Sequence, residues 1–425
     1  MTNNAPPKQS LHERLGISPA FIVIMTTFID MIGFGMVIPL LPFHPETAQA
    51  GAFALGILVG SFSLMQFIFS PLLGRISDKV GRRPILLFSI FVSVISYLIF
   101  AVADTYILLL ISRIAAGMAT EAGVAQAYIA DTTTHEDRAG GMGKVGAAHG
   151  AGFIIGPALG GFLSIYGFEV AGLAAAILTA VNFVFAFFFL PESNAPIGPA
   201  AQTAVNSDSY WSRLVTAMTK PLMGTVFAIL FITTFAFSAI PVLMPLLGIA
   251  FFGFTEIEMS YFFMYIGVVQ IILQGFLIGR LTKKWGETNL IVLASLLMTL
   301  GIFCISLIPS VVVFIISLTM FSSGVGTLNT ALPSFISKRS PQDEQGGMLG
   351  VAQSVGSLAR VPGPLVAGLI AEFAGLNVAF FVSAAVVCVA FGLGFMVIRG
   401  NHHVNPVAVG LGVKNSDLPS GDAKN

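Results

Sequence analysis

The chain has 425 residues, 56% of them hydrophobic and only 9% charged, and its 20 basic and 20 acidic residues leave a formal net charge of zero. So apolar a composition exceeds what a soluble domain needs, so the lipid bilayer is the expected surroundings, and no basic face is left for nucleic acid. Two cysteines, Cys304 and Cys388, both inside apolar runs, imply neither a disulfide framework nor a metal cluster.

Runs of the length that crosses a bilayer are predicted at 19–43, 53–73, 84–103, 106–130, 140–166 and 170–190, then at 221–248, 259–279, 288–308, 311–336, 346–371 and 377–398. The fold class is therefore an all-α membrane protein of twelve spans. The first run follows Lys8 and Arg14 but is too long for a signal-peptide core and has no convincing cleavage site, so it is expected to be retained. Two six-helix bundles, 19–190 and 221–398, are separated by a polar linker at 191–220 with a short amphipathic piece from Trp211 to Met218. The tail at 399–425, rich in Gly, Asn and Pro and carrying His402 and His403, is expected to be disordered and cytoplasmic.

Asp30 comes about eleven residues into the first span, near the bilayer midplane at ~1.5 Å per residue. An ionised, unpaired carboxylate there costs several kcal/mol, so it is protonated, paired or facing water. The functional reading is a proton or ion site; a structural hydrogen bond to a neighbouring helix is the alternative. After the second span, the stretch from Gly74 to Pro84 (GRISDKVGRRP) packs five charges and two glycines between apolar runs. A dense basic cluster of this kind reads as a tight cytoplasmic loop. Lys and Arg recur in every alternate loop, whereas the loops at 44–52, 104–105, 167–169, 249–258, 309–310 and 372–376 contain none. Both termini are thus expected in the cytoplasm.

The fourth span carries Arg113, Gly117, Glu121, Gln126 and Asp131. Arg113 and Glu121, eight residues apart, would lie within ~80° of each other on a continuous helix. Arg113 reads either as a charge taking part in proton transfer or as a clamp on backbone carbonyls, and Asp131 as an interface or capping residue. The fifth span has Gly146, Gly150, Gly152, Gly156, Pro157, Gly160 and Gly161, whose bare strips let helices approach closely in lipid. His149, among them, reads as a packing residue before a proton relay. In the second half the polar candidates for a substrate cavity are Gln270 and Gln274, one turn apart, Asn329, Gln353 and Arg360, with Gln126 from the first half. Arg360 could hold an anionic group of a substrate or pair with a carbonyl or acid across the cavity.

Several stretches recur in order. Gly74–Gly81 returns as Gly279–Gly286, 205 residues on, with Lys283 where Asp78 stands and Glu287-Thr288 in place of Arg82-Arg83. Val37–Leu41 returns as Leu243–Leu247 and Gly140-Gly141-Met142 as Gly346-Gly347-Met348, each 206 on, and Gly156–Gly161 as Gly363–Gly368, 207 on. Such ordered matches point to two homologous halves.

Gly74-x-x-x-Asp78-Lys79-x-Gly81-Arg82-Arg83 closely resembles the loop between helices 2 and 3 of the major facilitator superfamily of secondary transporters, with Lys79 where Arg is usual. Arg113-x-x-x-Gly117 resembles that family's helix 4 motif, whose arginine is assigned to proton transfer; Glu121 is not part of it. Gly152-x-x-x-Gly156-Pro157-x-x-Gly160-Gly161 looks like the helix 5 signature of drug:proton antiporters. The surroundings of Asp30 and the run Ala127–Asp131 are similar to tetracycline-type exporters.

This resemblance implies a proton-coupled antiporter of the plasma membrane. It would export small amphipathic compounds as a monomer, driven by the proton gradient without a cofactor. Proton coupling would fall to Asp30 and Arg113, and conformational switching to the Gly74–Arg83 loop. Glu121 is added to the coupling set as an acid inside a span and not by the resemblance, and the two-half arrangement would place Asp78 against the N-terminus of the eleventh helix near Gly346-Gly347 in one end state. A proton-coupled importer of a small metabolite, or a membrane receptor or scaffold that does not transport, are the alternatives. An enzyme is not expected, since neither a nucleophile motif nor a phosphate loop occurs.

Overall fold

A computed structural model of the chain describes residues 18–133, 138–193, 221–305, 307, 310–340 and 345–402. Most of the predicted linker, with its Trp211–Met218 piece, and the tail beyond 402 lie outside the described residues. The first half comprises α1 (Pro19–Phe43, its last turns 3-10), α2 (Ala52–Val80), α3 (Arg82–Ala101), α4 (Tyr106–Thr132), α5 (Arg138–Ser164) and α6 (Phe168–Phe189). In the second, α7 spans Pro221–Phe252, α10 Val311–Arg339 and α12 Leu376–His402, while α11 is built from Gln345–Arg360 and Pro362–Phe373. Between α7 and α10 the chain is helical over the 50 residues from Glu256 to Ile305. That is far more than one bilayer crossing requires, and Gly286, at φ 75°, divides it into α8 and α9. The twelve predicted spans are thus present, and no strand occurs among the described residues.

Local chemistry starts these helices where the sequence changes character. The Ser18 hydroxyl accepts the Phe21 N–H at 3.2 Å, with Pro19 opening α1. Thr105 accepts from Leu108 to open α4, and Thr255 with Glu258 forms a capping box on α8.

The basic stretch is less of a loop than expected. Helix α2 runs on through Gly74, Asp78 and Lys79 to Val80, and the whole reversal falls on Gly81 at φ 110°, a conformation only glycine adopts without strain. Gly286 is its equivalent, 205 residues on.

Within the first half α1 packs on α5 and α6, α3 on α4 and α6, and α2 on α4; in the second, α9 packs on α10 and α12, and α7 on α11 and α12. The halves meet chiefly through two pairs, α5 with α8 and α2 with α11, with smaller contacts of α7 on α1 and α2 and of α8 on the end of α1. These contacts concentrate at the end away from the basic residues. A methyl on Gly161 would fall 2.5 Å from Ser260 Cβ, and one on Gly368 3.1 Å from Phe53 Cα. Toward the basic end Gly74, Gly146, Gly275 and Gly347 have no such neighbour within 4 Å. The molecule is closed at one end and splayed at the end that bears the basic residues.

Candidate functional site

The α2–α3 reversal is tied to the ends of α4 and α6. Arg82, buried, donates from Nε to Asp131 at 3.0 Å and from Nη1 to Ser77 Oγ at 2.7 Å, and pairs with Asp78 at 2.6 Å. The Glu192 carboxylate accepts the Arg82 and Arg83 backbone N–H groups at 2.7 and 3.1 Å, capping α3 where Gly81 offers no side chain. Arg83 reaches the Phe187 carbonyl at 2.7 Å. In this splayed conformation Asp78 is thus bound to Arg82, and its expected neighbour, the start of α11, has open space over Gly347 and Gly350.

Helix α5 explains its glycines by contact. A methyl at Gly152 would come 2.6 Å from Met31 Cβ, one at Gly156 2.6 Å from the Ile32 carbonyl and 2.8 Å from Gly35 Cα, and one at Gly160 2.7 Å from Met36 Cα. These three press α5 onto the part of α1 that carries Asp30, with Pro157 beside Gly35. Gly161, one residue on, faces Ser260 of the other half instead. The strip therefore serves two interfaces.

Asp30 lines a pocket with Thr27, Phe34, Phe62, Gln66, Ser93, Tyr97, Thr120, Glu121 and His149. The Ser93 hydroxyl donates to Asp30 Oδ1 at 3.4 Å. Glu121 reaches the pocket because α4 is not continuous: it breaks at Ala119–Glu121, between Met118 and Ala122. The predicted 80° relation between Arg113 and Glu121 does not hold across that break. Both Glu121 carboxylate oxygens are buried without a hydrogen-bond partner. An irregular stretch of this sort within a membrane is tolerated where it lines a cavity.

Arg113 is not a lining residue. It is fully buried, its Nε donating to Ser112 Oγ at 3.2 Å and its guanidinium 5.6 Å from the centre of the Phe100 ring, with both terminal nitrogens unpartnered. Tyr97, a wall of the pocket, is within electrostatic reach of Asp30, Arg113 and Glu121. Gly117 brings α4 against α2, where a methyl would lie 2.7 Å from Met65 Cβ.

None of the six predicted cavity residues lines this pocket. Gln126, Gln274, Asn329 and Gln353 are exposed, and Gln270 packs 3.5 Å from the Gly326 position of α10 with its amide nitrogen buried and unpartnered. Gln274 falls in a π-helical stretch, Leu273–Leu277, so the regular one-turn offset from Gln270 is lost. Arg360 sits at the break of α11, within electrostatic reach of His149. Sequence reasoning missed Gln66, Ser93 and Tyr97 as pocket residues. The signal on α3 was available: Ser89, Ser93 and Tyr97 recur at four-residue steps, one polar stripe on an apolar helix.

The sequence pattern of the Major Facilitator Superfamily matches residues 23–364. The chain belongs to that superfamily. It is 31% identical over 359 residues to the class C tetracycline resistance protein of Escherichia coli, covering 82% of this chain and 88% of that one. It is 26% identical over 389 residues to multidrug resistance protein 2 of Bacillus subtilis, covering 91% and 96%. The crystal structure of the human organic anion transporter MFSD10 superposes with a TM-score of 0.66 at 26% identity, covering 91% of this chain and all of that one. This superfamily member is a multi-pass membrane transporter of the two-bundle fold, and it is similar to transporters and resistance proteins rather than to enzymes.

Proposed function

We propose that the protein is a proton-coupled antiporter that exports small amphipathic compounds from the cytoplasm. The observation that carries this reading is the pairing of Asp30 and Glu121 in one pocket at the middle of the first half. Two carboxylates in a low-dielectric site repel when both are ionised, which suits the pair to take up and release a proton. Arg113, buried without an acidic partner among the described residues, supplies a positive charge whose effect on the acids changes with any movement of α3 or α4. By the distribution of basic residues the splayed end and both termini are cytoplasmic. In this conformation the cleft would then admit substrate from inside the cell. The resistance proteins among the relatives support export over uptake, and the helix 5 glycines support the same branch. The protein works as a monomer in the plasma membrane with the proton gradient as its only driving force.

Inverted membrane vesicles test this. With an acid interior they should accumulate members of a panel of lipophilic compounds, tetracycline among them, and a protonophore should erase the accumulation. Proton-dependent uptake of a small metabolite by intact cells, with no accumulation in inverted vesicles, would replace export by import.

A further inference from the structure

Arg360 is the only Asp, Glu, Lys or Arg in the interior of the second half's spans among the described residues; the others, such as Glu258, Glu287, Lys338 and Glu372, stand at helix ends. It lies midway along α11, between the start at Gln345 and the end at Phe373, on the last turn before the helix breaks ahead of Pro362. No carboxylate pairs with it among the described residues, and the ion pairs of the second half lie elsewhere, at Glu287 and Lys338. An unpaired guanidinium at this depth is costly unless it meets water or an anion. The charged and polar groups within its reach include no acid of its own half. His149, on α5 of the other half, is within its electrostatic reach, and His149 is itself a wall of the pocket that holds Asp30 and Glu121. Interior charge is therefore divided between the halves: two acids in the pocket of the first, one guanidinium without an ion-pair partner midway along α11 of the second, and a pocket histidine within its electrostatic reach. Phe34 and Phe62, ring centres 5.0 Å apart, form an apolar surface on the pocket wall.

We propose that Arg360, the interior cation of the second half, is the specificity-determining contact for an acidic group of the transported compound. The substrates would then be amphipathic molecules that carry a carboxylate or sulfonate on an aromatic body, the ring against Phe34 and Phe62 and the anion at Arg360. Arginine suits this role because its planar fork binds a carboxylate through two parallel hydrogen bonds. This inference rests on the reading that the cleft beside the Asp30 pocket holds substrate, but on neither the direction of transport nor its coupling.

The full-length protein in lipid nanodiscs should be titrated with radiolabelled 1-naphthaleneacetate and with 1-naphthaleneacetamide, which share a ring system and differ in charge. The wild type should bind the acid at least about tenfold more tightly than the amide. Arg360→Gln should remove that preference while leaving amide binding in place, which also shows that the site is still folded, and Arg360→Lys should keep part of it. Equal binding of the two probes by the wild type, no saturable binding of the acid, or an undiminished preference in Arg360→Gln would each overturn the proposal. Binding in nanodiscs has no direction and no gradient, so failure here leaves the export reading standing, and failure in the vesicle experiment leaves this one standing.

Discussion

Asp30, Arg113 and Glu121 of the first half correspond, 206 residues on, to Ala236, Thr319 and Thr327 of the second. Ala236 is wholly buried in the second core, Thr319 is hydrogen-bonded to the Tyr265 hydroxyl at 2.8 Å, and Thr327 is buried. In reverse, Arg360 corresponds, 207 residues back, to Phe153. The ion pairs at the basic end are of opposite order as well: Arg82 pairs with Asp131 in the first half, and in the second Glu287, at the Arg82 position, pairs with Lys338, one residue past the Asp131 position. What the duplication keeps is packing and backbone, namely the glycine turns at Gly81 and Gly286 and the small-residue helix contacts. What it does not keep is charge, so among the described residues interior acids are confined to one bundle and the interior cation of the other pairs with no acid.

That division is broken most directly at Asp30. Asp30→Asn keeps the shape and the Ser93 contact but cannot carry a proton, and gradient-driven accumulation should fall by at least ~100-fold while expression is retained. Normal pH dependence in the Asn variant would remove Asp30 from the coupling pathway.

Where the halves agree, they should respond alike. Gly156 presses α5 on α1, and its equivalent Gly363 presses α11 on α7, where an added methyl would meet Ser238 and the Phe235 carbonyl. Valine at either position should lower stability by roughly 1–3 kcal/mol through overpacking against backbone that cannot retreat. Gly146→Val, with no neighbour within 4 Å of the added Cβ, is the control that should melt like the wild type. Thermal unfolding in detergent separates the three.

The spans were legible because a bilayer demands a fixed length of apolar sequence, and Asp30 and Glu121 because ionisable residues inside such runs need a reason. Gly81 and Gly286 were visible as paired motifs, though a single residue makes each turn. The break in α4 was not legible. Ala119, Thr120 and Glu121 contain neither Pro nor Gly, and the glycines that flank them, Gly117 and Gly123, do not by themselves mark where a helix ends. Likewise nothing in the run Gly152–Gly161 says that Gly160 faces Met36 while Gly161 faces Ser260 across the cleft; that depends on how two bundles dock. Asp78, expected against the start of α11, is bound here to Arg82 four residues on, a pairing its spacing alone did not single out.

The inverted ion pairs give a graded test. Arg82 is 10% exposed at its side chain and Asp131 29%, whereas Lys338 is 64% exposed. Removing one partner of a buried pair leaves an uncompensated charge, so Arg82→Gln should cost about 2 kcal/mol, below the fully buried range because Asp131 still reaches water. Glu287→Gln should cost less than ~1 kcal/mol. The double change Arg82→Glu with Asp131→Lys, which writes the second half's order into the first, should recover part of the loss. Equal costs at the two sites would mean that exposure does not govern these pairs.

The smallest effect is expected where the halves touch. Helix α2 begins at Gly51, φ 91°, which offers no side chain to its free N–H groups. The carboxylate of Glu372, from the far end of α11, accepts those of Ala52 and Phe53 at 2.7 and 3.4 Å. A negative charge at a helix N-terminus is favourable, and here it also ties one bundle to the other. Its counterpart 207 residues back is Ile165, an exposed apolar residue, and the matching α5–α8 contact is closed by Gly161 against Ser260. One side of the closed end is therefore held by a carboxylate and the other by packing alone. Glu372→Gln keeps an acceptor but loses the charge, and should shift the balance toward opening of this end by about threefold. Spin labels at Ala48 and Asn377, both exposed beside the contact, would report a larger long-distance population in the variant. An unchanged distance distribution would place the closure in the small-residue packing on both sides.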